Sequence, residues 1–187
     1  MAESIENSKS NASLNGTNDN DTIKNQNKVT PHYYYDEDAE ESYWDYNEIN
    51  SPDNSTINGG EGNDSIFNDA VAVSINGGAG SDTIENRTSE VEIEGEDYEF
   101  IPDNSTIDGG EGNDSIFNEG SDVLINGGAG DDSINNRGEN VLFTYASGDG
   151  NDYIQGFNDS STLQITSGAI KFKRTHCWCV YWFGNDR

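Results

Sequence analysis

The chain has 187 residues, and 36 Asp and Glu against 9 Lys and Arg leave a formal net charge of −27. Hydrophobic residues make up 31%, and Ile, Leu, Val and Phe together come to roughly 18%, below the level at which a highly charged chain builds a conventional core. The balance excludes a large apolar core and a nucleic-acid binder, since a polyanion repels phosphate, and taken alone it predicts disorder.

In chain order, residues 1–13 are polar and are expected to form a disordered tail. They lack the apolar run and small-residue cleavage site of a secretory signal, and nowhere does the chain hold the ~18 consecutive apolar residues of a membrane span. Residues 14–30 contain LNGTNDNDTIKN, a degenerate first coil of the repeat that dominates the rest. Residues 31–49, PHYYYDEDAEESYWDYNEI, set aromatic among acidic side chains. This insertion reads either as a loop that closes back on the repeat through Tyr and Trp44, or as a recognition loop for a partner or carbohydrate.

Residues 50–166 carry the repeat. Four blocks match closely: INGGEGNDSIFN (57–68), INGGAGSDTIEN (75–86), IDGGEGNDSIFN (107–118) and INGGAGDDSINN (125–136); YASGDGNDYIQG (145–156) is a weaker fifth. PDNSTI at 52–57 recurs at 102–107. Ile57, Ile66, Ile75, Ile84 and Ile93 lie nine apart, and Ile107, Ile116, Ile125, Ile134 and Phe143 resume the series. Nine is not a helical interval, and Gly-Gly in every block opposes helix. Apolar-x-apolar stretches such as Val73-Ser74-Ile75 are strand signals. The reading is an all-β solenoid of about six 18-residue coils, each made of two short strands and two turns. One turn is GGxGxD; the other runs from an Asn to a Val five residues on, as in Asn68…Val73, Asn86…Val91, Asn118…Val123 and Asn136…Val141. Like turns stack, so the Asn row is expected to hydrogen-bond along its corner. Two irregularities are expected to fit the register: a coil of fourteen residues at Ile93–Thr106, with its glycine turn shortened to GEDYE, and a twenty-residue interval between Ile125 and Tyr145, which keeps strand parity.

The glycine turns carry the chemistry. Gly-Gly-x-Gly-x-Asp lets several backbone carbonyls converge. Two stacked turns supply two carboxylates and about four carbonyls, an all-oxygen set suited to calcium rather than to zinc or to tightly octahedral magnesium. The alternative, a connector in which Asp is an ordinary turn former, leaves the recurrent Asp position and the glycine density unexplained.

These blocks resemble the GGxGxDxUx nonapeptide (U a large apolar residue) of the repeats-in-toxin, or hemolysin-type, calcium-binding family. The resemblance implies a right-handed parallel β-roll over 50–166 with two or three calcium ions sandwiched between glycine turns, secretion by a type I exporter and folding outside the cell. It carries the carboxylate ligands onto Asp64, Asp82, Asp114, Asp132 and Asp152. The carbonyl donors fall among Gly59, Gly60 and Gly62 in the first turn and Gly77, Gly78 and Gly80 in the second. In the later turns they fall among Gly109, Gly110 and Gly112; Gly127, Gly128 and Gly130; and Gly148 and Gly150. One ion is expected between 59–64 and 77–82, one between 109–114 and 127–132, and a third between 127–132 and 147–152, with a half-site at Glu96 and Asp97. The family's usual roll has calcium turns along both edges; here only one corner carries them, so a single row of ions is expected.

Residues 167–187 form an atypical tail. From Lys171, KFKRTHCWCVYWFGNDR reads either as a foreign or out-of-frame end or as a capping strand. His176, Cys177 and Cys179 make a three-ligand cluster that lacks the fourth ligand of a closed zinc site, and two cysteines this close build no disulfide framework. No HExxH, GxSxG or P-loop is present, so no enzyme is expected. An ice-binding face fits poorly, because the outward Ser65, Thr83, Ser115 and Ser133 alternate with Phe67, Glu85 and Phe117. The functional expectation is calcium ion binding coupled to folding of a secreted, extracellular structural or display module. An extracellular adhesin using the 31–49 insertion is the alternative. Neither nucleic acid nor a membrane span is expected as a partner.

Overall fold

The computed structural model describes residues 1–36, 41–93, 95–168, 171–175 and 180–184, with 31–36, 41–49, 171–175 and 180–184 described by backbone alone. Strands β1 (Ser4–Asn7), β2 (Ser13–Asn15) and β3 (Thr22–Asn25) precede a hairpin of β4 (Lys28–Asp36) and β5 (Glu41–Asn50). Then come β6 (Thr56–Glu61), β7 (Ser65–Asn68), β8 (Ser74–Ala79) and β9 (Thr83–Asn86), and a second hairpin of β10 (Ser89–Ile93) and β11 (Glu96–Phe100). The chain continues through β12 (Thr106–Glu111), β13 (Ser115–Asn118), β14 (Leu124–Ala129), β15 (Ser133–Asn136), β16 (Leu142–Tyr145), β17 (Asp152–Gln155) and β18 (Thr162–Ile165). It ends in β19 (Lys171–Thr175) and β20 (Val180–Gly184).

Two sheets alternate along the chain. One runs β1-β3-β7-β9-β13-β15-β17 with every pair parallel, and the other runs β2-β6-β8-β12-β14-β16-β18, also parallel. This is a parallel β-roll. Each strand is too short to bury anything alone, so its apolar residue must lie over the equivalent residue of the next rung. Ile23, Ile66, Ile84, Ile116, Ile134 and Ile154 form one inward column, and Leu14, Ile57, Ile75, Ile107, Ile125 and Phe143 the other. All twelve are buried, and their sequence neighbours are mostly exposed.

The asparagine corner closes the other side of the core. Nδ2 of Asn7, Asn25, Asn68, Asn86 and Asn118 each donates to Oδ1 of the next asparagine at 2.8 Å, ending on Asn136. An amide both donates and accepts, so such a ladder satisfies itself.

Three expectations are corrected. Ser4–Asn7, expected within a disordered tail, pairs with Thr22–Asn25 as a further rung. Ile5 continues the nine-residue spacing to Leu14 and Ile23, and Asn7 begins the amide ladder. The fourteen-residue coil at 93–106 does not form. Instead β10 and β11 pair antiparallel across a two-residue loop with Gly95 at φ 86°, a hairpin-turn conformation. Rungs 75–86 and 107–118 therefore stack directly, Ile84 on Ile116 and Ile75 on Ile107. Third, the two extra residues near 145 leave Ile125 over Phe143 rather than over Tyr145, and are absorbed between Phe143 and Ile154.

Both hairpins are inserted at the asparagine corner, and neither joins the two main sheets. In plain coils Asn68, Asn118 and Asn136 also donate to the carbonyl two residues on, at 2.8–3.0 Å. Where a hairpin intervenes, the carbonyls of Pro52 and Pro102 accept from Asn25 and Asn86 instead, at 3.3 and 3.2 Å. Ser55 and Ser105 then fill the buried position that Val73, Val123 and Val141 fill elsewhere. PDNSTI is thus the re-entry segment after each hairpin. Buried Asp69 ties the hairpin bases together, accepting from the backbone N–H of Asn27 at 2.6 Å and from Ser89 Oγ at 2.5 Å.

At the C-terminal end the backbone of β20 pairs antiparallel with β17 and with β19, extending one sheet. The side chains of the aromatic insertion, and all of His176, Cys177 and Cys179, lie outside the described residues.

Candidate metal centre

Opposite the asparagine corner the glycine turns stack. Gly60, Gly78, Gly110 and Gly128 are ladder partners in successive rungs, as are Glu61, Ala79, Glu111 and Ala129. The third glycines extend the ladder: Gly62 donates to the Ala79 carbonyl at 2.8 Å, Gly80 to Glu111 at 2.7 Å and Gly112 to Ala129 at 2.7 Å. The approach is too close for side chains. A Cβ on Gly80 would lie 1.7 Å from the Gly62 carbonyl oxygen, and one on Gly112 would lie 1.9 Å from that of Gly80. Glycine is required here by the neighbouring coil as much as by the turn itself.

Asp64, Asp82, Asp114, Asp132 and Asp152 form a single buried column, each at most 4% exposed. One carboxylate oxygen of each has a fixed partner. Asp64 N–H donates to Asp82 Oδ1 at 2.7 Å, Asp82 to Asp114 at 2.8 Å, Asp114 to Asp132 at 2.8 Å and Asp132 to Asp152 at 3.1 Å. The second oxygen, Oδ2, of Asp64, Asp82, Asp114 and Asp132 is buried and has no hydrogen-bond partner. It turns back under the first glycine of its own turn, 2.4–2.5 Å from where a Cβ on Gly59, Gly77, Gly109 or Gly127 would be. A carboxylate can only accept, and an orphaned buried acceptor is costly.

The electrostatics record that cost. Desolvation, aided by neighbouring carboxylates, pushes Asp82, Asp114 and Asp132 up to about 6 and Asp152 up to about 8; Asp64 is raised for the same first reason. In each case the backbone N–H of the preceding aspartate acts in the opposite direction.

The sequence reading missed a sixth member of the column. Asp21 is 2% exposed, and its N–H donates to Asp64 Oδ1 at 2.7 Å. The signal was in LNGTNDNDTIKN, whose final Asp occupies the block position of Asp64. Here Thr17 stands beside Gly60 in the stack, and both its N–H and its Oγ1 donate to Asp21 Oδ2. That backbone bond holds the Asp21 carboxyl below its ordinary value.

Not every predicted residue joins the column. Gly150 stacks on Gly130, but Gly148 has nothing within 4 Å of its Cβ position. Glu96 and Asp97 sit on the second hairpin, so the expected half-site there does not exist; turn 77–82 faces 109–114 instead.

Oxygens converge where Gly59, Gly77 and Gly109 meet the next turn. A Cβ on Gly59 would lie 2.2 Å from the Gly77 carbonyl oxygen as well as 2.4 Å from Asp64 Oδ2. Among the described residues no three His, Cys, Asp or Glu side chains cluster, so a bound ion would take most of its ligands from backbone carbonyls. That donor set is hard and oxygen-only, and the partnerless Oδ2 atoms supply the charge: the residues fit calcium.

A family model for the RTX calcium-binding nonapeptide repeat matches the chain in four copies, at residues 51–70, 73–85, 102–124 and 118–140. Searches among curated proteins and among solved structures returned no match. The matched copies span the four complete glycine turns, and the Asp that closes each motif is the Asp of the buried column. Residues 51–70, 73–85 and 102–140 therefore carry the RTX calcium-binding nonapeptide repeat, and their strands stack as a parallel β-roll.

Proposed function

We propose that the glycine corner binds calcium between stacked turns and that this binding drives folding of a structural module that works outside the cell. The observation that supports it most is the column of buried aspartates whose Oδ2 atoms have no protein partner. Asp64, Asp82, Asp114, Asp132 and Asp152 would supply the charge. Gly59, Gly60, Gly62, Gly77, Gly78, Gly80, Gly109, Gly110, Gly112, Gly127, Gly128, Gly130, Gly148 and Gly150 are the turn residues from which carbonyls would be drawn. Ions are proposed between 59–64 and 77–82, between 109–114 and 127–132, and between 127–132 and 147–152.

Calcium supplies positive charge and accepts six to eight oxygens without demanding one geometry. The chain supplies oxygens that repel one another until that charge arrives. Its two thin apolar columns bury too little to offset the entropy of ordering the coils alone, so metal binding and folding become one equilibrium. Affinity in the extracellular range, on the order of 10⁻⁴–10⁻³ M, suits such sites. The test is far-UV circular dichroism with calcium added and then chelated. A strand spectrum that needs calcium, and that equimolar magnesium does not restore, is expected; a spectrum unchanged in chelator would sink the coupling.

A second reading is an adhesin. It is favoured by two antiparallel ribbons, one of them carrying the aromatic-acidic segment 31–49, inserted at the corner away from the glycine turns. Removing 31–49 and measuring adsorption to cell or glycan surfaces separates the two. Loss of adsorption with an intact calcium-dependent spectrum supports the adhesin; unchanged adsorption counts against it. Secretion follows the habit of the repeat family.

A further inference from the structure

Arg87 and Arg137 are the only Lys or Arg in residues 50–166, and the fold brings both to one aromatic ring. Each follows a ladder asparagine, and its N–H donates to the carbonyl of the asparagine one rung back: Arg87 to Asn68 at 3.0 Å and Arg137 to Asn118 at 2.8 Å. Their guanidinium groups lie over Phe117, 5.9 and 5.0 Å from its ring centroid. Arg137 is held further by Glu119, whose Oε1 accepts from its Nη1 at 3.0 Å while Oε2 accepts from the Thr88 N–H at 3.1 Å. Ring and carboxylate orient the Arg137 guanidinium, and the bond to Glu119 leaves most of its five N–H donors for another acceptor.

Beside Arg137, where β15 meets β17, a groove of about 310 Å³ opens. It is lined by Asn135, Arg137, Gln155, Gly156, Phe157 and Asn158, and in a chain with 36 Asp and Glu no carboxylate lines it. It shares no residue with the glycine turns or with the 31–49 insertion. We infer that this groove binds an acidic sugar, a pyranose ring bearing a carboxylate.

The lining divides into three chemistries that such a ligand combines. The guanidinium takes the carboxylate in charge-assisted hydrogen bonds. Asn135 and Gln155 are ladder partners on adjacent rungs, and among the described residues neither side-chain amide has a hydrogen-bond partner. Each offers a donor and an acceptor, as ring hydroxyls require. Phe157 is half-buried, its ring centroid 5.6 Å from that of Phe143, and supplies apolar surface for the C–H face of the sugar. Asn158 is fixed as a wall: its Nδ2 donates to the Gly138 carbonyl at 3.0 Å, and its Oδ1 accepts from the hydroxyls of Ser160 and Ser161 at 2.7 and 2.9 Å. The groove is therefore preformed. A purely apolar ligand would leave both amides unpaired, and an extended polyanion would meet the acidic surface on either side. A small ligand with one negative charge avoids both costs.

Saturation-transfer NMR on the full chain in saturating calcium is the experiment, with D-glucuronate and D-glucose as probes that differ in oxidation at one carbon. Transfer to glucuronate is expected, and little to glucose. Arg137→Gln removes the charge and Gln155→Ala one amide; both side chains are exposed, so the circular dichroism of each variant should match that of the wild type. Both substitutions are expected to weaken glucuronate binding, Arg137→Gln by roughly tenfold or more. Uronate recruited through calcium or held by the 31–49 insertion would bind wild type and both variants alike. That result, or no transfer to glucuronate in the wild type, overturns the groove assignment and leaves calcium binding untouched. Transfer to glucose as strong as to glucuronate overturns the acidic class of ligand.

Discussion

The two corners of the roll solve one stacking problem with opposite chemistry. At the asparagine corner each side chain donates to the next and accepts from the last, so the ladder is neutral and complete within the protein. At the glycine corner Asp64, Asp82, Asp114 and Asp132 each accept one backbone N–H and leave the other oxygen buried and unused. The difference is that of an amide from a carboxylate: the first carries donor and acceptor, the second only acceptors. The amide corner tolerates two hairpin insertions because Pro52 and Pro102 carbonyls replace the displaced ones. The carboxylate corner lacks such donors, and under the proposed coupling positive charge or protons from outside would supply what is missing. One corner completes its ladder; the other leaves oxygens open.

The comparison breaks most sharply where coils approach closest. Gly77→Val would put side-chain carbon 2.3 Å from the Gly109 carbonyl oxygen, a backbone atom with no room to move. Loss of more than about 4 kcal/mol is expected, seen as failure to fold at any calcium concentration in denaturant titrations. Asn86→Ala tests the other corner. It strips the donor from Asn118 Oδ1 and Pro102 and the acceptor from Asn68. A cost of about 3 kcal/mol is expected, visible as a lower denaturation midpoint in saturating calcium with calcium stoichiometry unchanged.

Acid should act chiefly at the glycine corner, joined by buried Asp69 at the hairpin bases, whose carboxyl desolvation also raises. Asp82, Asp114 and Asp132, raised to about 6, and Asp152, raised to about 8, hold protons in the folded, metal-free roll that the unfolded chain has released. Their contribution to stability is fully present below the ordinary carboxylate value near 4 and is lost as pH rises through 6 and then 8. Metal-stripped protein is therefore expected to regain strand signal in circular dichroism between pH 7 and 4, and calcium should remove that dependence. By the same argument Asp82→Asn stabilises the metal-free roll at pH 7 and weakens the calcium-loaded one. A metal-free roll that loses structure on acidification would refute the assignment of cost to the carboxylates.

The smallest effect concerns the turn that follows the asparagine ladder. Asn54, Asn104, Asp122 and Asn140 occupy left-handed backbone there, and Ala72 does so too at φ 57°. Ala72→Gly is expected to add about 0.5–1 kcal/mol, measured as a raised midpoint in saturating calcium.

Much of the molecule was legible before its coordinates. The nine-residue spacing of Ile57, Ile66, Ile75 and Ile84 announces two strands per coil, and GGxGxD once per coil announces a single glycine corner. Ile5 was equally periodic but lay among polar residues that read as tail, and Asp21 lay in a first coil that read as degenerate because Thr17 and Asp19 stand where later blocks have glycine. The second hairpin escaped for a different reason. Ile93 keeps the nine-residue spacing whether it points into the roll or lies on a ribbon, and only Gly95 and the repeated PDNSTI hinted at departure and return.

What the sequence determined by itself is the period, the inward apolar columns and the type of ligand at the glycine corner, because each is a local pattern repeated in place. Tertiary structure alone decided which turn lies on which. A parallel ladder makes the same hydrogen bonds whether its partner is 18 or 32 residues away, so the neighbour of turn 77–82 is chosen by where the intervening chain can be parked. It also decided that Asp21 is satisfied and Asp82 is not, since that depends on Thr17 and on burial rather than on the aspartate itself.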